Sequence, residues 1–214
     1  MSEVAGGPGQ GLRTLLAEID PQWLGGIDPA LLAAGRESRL GRQVMLRCLE
    51  QAPAAALFAP SPEPAVDRTA AAWPRERLEA FLRNLGVLAF APAIRAEIGR
   101  EPVRRLKDTL GKRYLLALDR QMWDGQVPPT LLARLQARLS DAVGGPDPAA
   151  VLRAMFARQG RAELRHWAAT HEPALGDWVL LLHPGDPDAR AHLPAGAVAR
   201  LHAHHTAPAG GGGN

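Results

Sequence analysis

The chain has 214 residues, with 25 Lys and Arg against 22 Asp and Glu, a formal net charge of +3 and a sequence pI near 9.7. A single cysteine, Cys48, excludes an internal disulfide framework and any Cys-x-x-Cys zinc or redox site, and a chain of this length can bury roughly 70% of its unfolded surface without either. The longest uncharged stretches, around 51–62 and 84–94, fall short of the ~20 apolar residues that cross a bilayer, and "MSEVAGGPGQGLRTLL" lacks the basic-then-apolar order of a signal peptide, so a cytoplasmic protein is expected.

Lys107 and Lys112 are the only lysines, and the arginine excess fits a coding bias toward G and C. Acids are interleaved with arginines almost everywhere, unlike the one-sided basic surface of a nucleic-acid binder. Residues 12–19 and roughly 30–51 predict helices, the second opened by Asp28-Pro29, an N-cap acid before a proline in the first turn. "APAAALFAPSPEPAV", residues 52–66, holds four prolines and reads as a linker. In 74–90, Leu78, Phe81, Leu82, Leu85, Leu88 and Ala89 share one stripe at helical spacing, while Arg75, Glu76, Glu79, Arg83 and Asn84 lie largely off it. From Leu85 to Ile94 the pattern turns apolar all round, which predicts a central core helix that kinks or restarts at Pro92; a partly exposed docking face around Val87 and Phe90 is the alternative.

Residues 102–119 predict a second amphipathic helix, with Val103, Leu106, Leu110, Tyr114, Ala117 and Leu118 inward and Arg104, Arg105, Asp108 and Lys112 outward. Further helices follow at about 129–143 after Pro128-Pro129 and at 148–170 after Asp147-Pro148. Only "DWVLLLH", 177–183, has the character of a strand, and "APAGGGGN" reads as a disordered tail. The expected fold is all-α: a single compact multi-helix domain with a Pro-rich break after its N-terminal helices and a disordered C-terminal tail. In chain order these are an N-terminal helical segment (1–51), an Ala/Pro-rich linker (52–73), the main helical domain (74–206) and the tail (207–214).

Reaction chemistry is hard to place on this pattern. All seven histidines (166, 171, 183, 192, 202, 204, 205) follow residue 165, yet no pair forms an HExxH helix and "HAHH" has no Asp, Glu or Cys beside it, so no metal or other cofactor is expected. The Gly-Lys at 111–112 fails as a phosphate loop, since Gly99 is twelve positions before Gly111 and Arg113 replaces the required Ser or Thr. No G-x-S-x-G nucleophile elbow occurs, and Cys48 in "VMLRCLEQ" reads as an inert buried thiol. No residue is assigned a catalytic role. The densest basic run, Arg104, Arg105, Lys107, Lys112 and Arg113, suits a solvated helix face or contact with an acidic protein partner. Arg104, Arg105 and Lys112 are therefore the first candidate partner-binding residues, and Val87 and Phe90 the second.

"LRNLGVLAFAPAIRAEI" followed by "PVRRLKDTLGKRYLLAL" resembles the central segment of the SctK/YscK family, accessory proteins of the type III secretion sorting platform. The matching residues are Leu85, Gly86, Leu88, Ala93, Ile94 and Arg95, and the resemblance covers residues 78–118. The family pattern has a His-Gly pair and an acidic residue where this chain has Phe90, Ala91 and Pro92, so no role of that histidine carries over. The resemblance implies a non-enzymatic all-helical adaptor at the cytosolic face of the bacterial inner membrane. Its implied partners are the cytosolic domain of the SctD-type inner-membrane ring protein and the SctQ-type pod protein, with no nucleic acid and no direct membrane insertion. On the residues alone, a small helical nucleic-acid-binding protein and a metal-dependent helical enzyme using the C-terminal histidines stay open as alternatives.

Overall fold

The computed structural model describes residues 10–50, 54, 56, 57, 74–184 and 189–206. Among them are eleven α-helices and no strand: α1 Gln10–Glu18, α2 Pro29–Glu37, α3 Arg39–Glu50, α4 Arg75–Ala89, α5 Ala91–Ala96, α6 Arg100–Leu110, α7 Arg113–Leu118, α8 Pro129–Gly144, α9 Pro148–His171, α10 Pro173–Leu182 and α11 Ala195–Thr206. A 3-10 turn, Pro21–Leu24, follows α1. The chain is all-α, as expected. It divides into two compact units, Met1–Arg75 with Arg165–Pro187, and Glu76–Leu164 with Asp188–Asn214. The N-terminal segment expected over 1–51 thus shares a unit with residues beyond 164, and the expected main domain 74–206 is split within α9. Most of the expected linker 52–73 and the whole tail 207–214 lie outside the described residues.

In the first unit, Asp28 caps α2 by accepting from the backbone N–H of Ala30 (2.9 Å) and Leu31 (3.2 Å), with Pro29 in the first turn. The helix expected over 30–51 is two helices. Ser38 is extended at the break, and its hydroxyl accepts from Gly41 N–H at 2.8 Å to start α3. Gly41 lies against the Gly35 backbone, where a Cβ would fall on the Gly35 carbonyl, so the turn needs glycine there. Residues 177–182 of the one strand-like run belong to the helix α10, and His183 follows it in an extended conformation. Pro173 occupies the first turn of the helix, and Leu175, Gly176 and Trp178–Leu182 are buried. A short helix enclosed on all sides reads like a buried strand, because neither shows a polar face. Asp20 N–H donates to the Leu181 carbonyl at 2.9 Å, and Trp23 Nε1 donates to the His183 carbonyl at 3.0 Å. Asp177 accepts from the N–H of Ala56 (2.8 Å) and Leu57 (3.1 Å), and Ala54 and Leu57 are buried. A portion of the expected linker is therefore packed into this unit.

The second unit is built on the apolar stretch. Every residue from Leu85 to Ile94 is buried, as the core-helix reading requires. α4 ends at Ala89, Phe90 forms the junction, and α5 restarts with Pro92 in its first turn, because the proline ring excludes a carbonyl four residues earlier. Phe90 meets Phe156 edge to face, with ring centroids 5.5 Å apart. Two glycines set the spacing of α4 and α9: a Cβ on Gly86 would fall on the Phe156 carbonyl, and one on Gly160 on the Leu82 carbonyl. Each helix thus presses its backbone into a gap left by a glycine of the other. The helix expected over 102–119 is also divided, since Gly111 takes a φ of +53°, which favours glycine and ends α6.

Gly86→Ala and Gly160→Ala should each lose about 3 kcal/mol of stability through forced separation of α4 and α9. Gly144→Ala, in open space near the end of α8, should instead gain about 0.5 kcal/mol. Urea titration of the three variants checks this, and equal effects at the three sites would refute the seam. Leu85→Ala, fully buried in α4, should lose about 2 to 5 kcal/mol.

Candidate functional site

The basic run is divided in its tasks. Arg104 is 74% exposed and lies 3.9 Å from Asp108 one turn on, a pair worth little in water. Lys107 stands 5.5 Å from the centre of the Tyr114 ring, and Lys112 is exposed in the turn after Gly111. Arg105 differs from the expectation: its Nη1 donates to the Val143 carbonyl at 2.9 Å, on the last turn of α8, and its Nε to Glu101 at 3.3 Å. It ties α6 to α8. Val87 and Phe90 are each 0% exposed, which removes them as partner-binding residues. The helix has no polar face there because neighbours enclose it on every side.

An open groove of about 800 Å³ runs beside this basic turn, bordered by Asn84, Asp108, Lys112, Arg113, Asp119 and His204. Asn84 organises its edge. Arg113 Nε, which can only donate, lies 3.0 Å from Asn84 Oδ1, so Asn84 Nδ2 faces His205 Nε2 at 2.9 Å and donates to it. His205 must therefore accept through Nε2, which a neutral ring does. Burial, then His204, Arg77, His202 and Arg113 around it, hold its pKa below the ordinary 6.5. His202 is shifted the same way by burial and Arg77, and both rings meet Phe81 edge to face.

The first unit offers a different surface. Leu40 and Val44 are 71% and 52% exposed, and Cys48, expected to be buried, is exposed too. Spaced four apart in α3, they form one row. The inward stripe of α3 is instead carried by Met45 and Leu49, one position later than the sequence context of the cysteine implied.

A third feature escaped the sequence reading. Arg134 and Arg138 from α8, Arg158 and Gln159 from α9, and Arg190 and His192 from the segment before α11 enclose a cleft of about 600 Å³. Behind it sits Glu163, 1% exposed, whose carboxylate accepts from the N–H of His192 (3.0 and 3.1 Å) and Leu193 (2.9 Å). Gln159 Nε2 donates to Glu163 (2.7 Å) and to the Arg190 carbonyl (2.8 Å). No signal short of the fold could have joined these residues, because each arginine alone resembles an ordinary helix-surface charge.

Comparison with protein-family models, with curated proteins and with solved structures finds no match for this chain. Among the described residues no three His, Cys, Asp or Glu side chains lie close enough to hold a metal ion, and no helix is long and apolar enough to cross a membrane. His171 and His183 lie apart from the group around His205: His171 stacks on Trp167 at 4.9 Å, and His183 faces the Val179 carbonyl.

Because the folded protein resists protonating His205 and His202, the unfolded chain binds more protons as pH falls through the ordinary histidine value of 6.5. Stability should decline as pH is lowered from about 7.5 to about 5.5. His205→Phe keeps a ring against Phe81 and should flatten that slope in denaturant titrations across this range; an unchanged slope would refute the neutral-ring assignment.

Proposed function

We propose that this chain is a non-enzymatic adaptor of the bacterial type III secretion sorting platform, acting at the cytosolic face of the inner membrane. It joins the cytosolic domain of the SctD-type ring protein to the SctQ-type pod protein. The observation that supports this reading best is that each unit presents its own surface of different chemistry. One carries the apolar row Leu40, Val44 and Cys48, and the other the basic face Arg104, Lys107 and Lys112. An adaptor needs two independent faces, and exposed apolar rows and helix faces with an excess of one charge are surfaces that protein partners cover.

The residues that carry the family resemblance fit it as folding determinants. Leu85, Leu88, Ala93 and Ile94 are core, and Gly86 admits the α9 backbone. Arg95 donates to the carbonyls of Ala117 (2.7 Å), Asp119 (3.2 Å), Trp123 (2.9 Å) and Asp124 (2.7 Å). A motif made of such residues specifies a shape, and partner choice is left to the surfaces.

The test uses purified ring-protein cytosolic domain and pod protein with two variants of the full chain. Arg104→Glu with Lys112→Glu removes the basic face while sparing Arg105, and Leu40→Asp with Val44→Asp removes the apolar row. Both should fold normally, because the altered side chains are exposed. Each should weaken capture of one partner by about tenfold or more and leave the other, the basic-face variant mainly through slower, salt-sensitive association. Unchanged binding of both partners by both variants, or no binding by the unaltered chain, would overturn the adaptor reading.

A further inference from the structure

The helix α11 is fastened differently at its two ends. Ala197, Val198 and Leu201 are buried, and Arg200 donates to the Met122 carbonyl at 2.6 Å. The last turn, residues 202–206, carries no large apolar side chain. It lies on α4 through two half-buried histidines three residues apart, His202 and His205, whose rings meet Phe81 edge to face at 5.9 and 5.0 Å. His205 Nε2 adds the 2.9 Å contact with Asn84, and Phe81 is 0% exposed under this cover.

That contact suits one protonation state only. Arg113 Nε holds Asn84 Oδ1, so an amide N–H faces His205, whose Nε2 must accept. A proton on Nε2 would set donor against donor and add a positive charge to a basic surrounding. Burial is the largest influence that disfavours it, followed by His204, Arg77 from α4, His202 and Arg113 from α7, with no carboxylate acting on the ring. Arg77, Phe81 and Asn84 are three or four residues apart and share one side of α4, which puts Glu79 and Arg83 on the other. Asp108 and Asp119 border the groove beside His204, but Asp119 accepts from the N–H of Gln121 and Met122, and Asp108 lies toward Arg104. Residues 207–214 contain no ionisable side chain.

We propose that the last turn of α11 is a proton-operated latch, docked on α4 while His205 is neutral and lifted when His205 is protonated, uncovering Phe81 and opening the side of the groove that His204 borders. The rest of α11 stays in place, because the buried Ala197, Val198 and Leu201 and the Arg200 bond to a backbone carbonyl do not titrate in the histidine range. Docking requires the neutral ring, and a released ring returns to the ordinary value of 6.5. The lifted fraction therefore rises about tenfold as pH falls from about 7.5 to about 5.5. The latch uses neither the apolar row of α3 nor Arg104 and Lys112, and it stands or falls separately from the adaptor reading.

Amide hydrogen exchange of the full chain at the two pH values, expressed as protection relative to the intrinsic rate at each pH, tests the latch. Protection of the His204, His205 and Thr206 amides should fall about tenfold on acidification, and the Phe81 ring resonances should shift with it, while the Leu82 and Leu85 amides in the core of α4 keep their protection. Two variants isolate the proton. His205→Gln offers Asn84 a carbonyl acceptor at every pH, and Asn84→Asp gives Arg113 and a protonated His205 a carboxylate to share. In either one, once circular dichroism shows it folded, the fall should shrink to about twofold or less. A tenfold fall that persists in a folded variant, a last turn whose protection does not change with pH in the unaltered chain, or an equal loss at Leu82 and Leu85 would each overturn the proposal.

Discussion

A helix leaves its last carbonyls without partners inside the helix, and a fold made of many short helices multiplies such ends. This chain closes them with arginine. In the first unit Arg36 donates to the Leu16 and Ile19 carbonyls at the end of α1, and Arg42 to the Arg36 and Glu37 carbonyls at the end of α2. In the second, Arg95 gathers four carbonyls from the end of α7 and the segment beyond it. Arg105 reaches the last turn of α8, and Arg200 donates to the Met122 carbonyl at 2.6 and 3.1 Å. A forked cation meets several carbonyls at once and complements the negative end of the helix dipole, which a lysine does less well.

That division of labour changes the meaning of the basic composition. Burial holds the Arg95 pKa below its ordinary value, with Arg120 acting in the same direction, and its role is architectural. Arg104 and Lys112 remain in solvent, where their charge is available to a partner. The four cleft arginines form a third group, concentrated in one place. A net charge of +3 describes none of these roles, since charge is apportioned by which carbonyls and which neighbouring helices each guanidinium reaches.

Helix type and the central core were legible because apolar periodicity reports burial directly: Leu78, Leu85 and Leu88 are core as their stripe implies, and Pro92 marks the restart. Breaks were less legible. Ser38 and Gly111 interrupt patterns whose apolar spacing continues across them, and at Gly111 the break comes from a glycine in positive φ, which apolar spacing does not report. The stretch 177–183 and the exposure of Cys48 turned on tertiary packing, which decides whether an apolar segment is enclosed or left on a surface. Of the candidate site, Arg104 and Lys112 could be placed outward from periodicity, whereas the commitment of Arg105 to Val143 and the union of Arg134 with Arg190 depend on segments far apart in sequence.

The paired glycines of α4 and α9 have a consequence for descent. Exposed residues drift readily, and core leucines interchange with other aliphatic residues of similar volume. A backbone-to-backbone seam admits no such exchange, because every other amino acid brings a Cβ where Gly86 and Gly160 leave none. In distant descendants whose overall likeness has decayed, these two positions should be among the last to change, and a glycine in each of two facing helices, one preceding an apolar stretch restarted by proline, becomes a means of detecting kin.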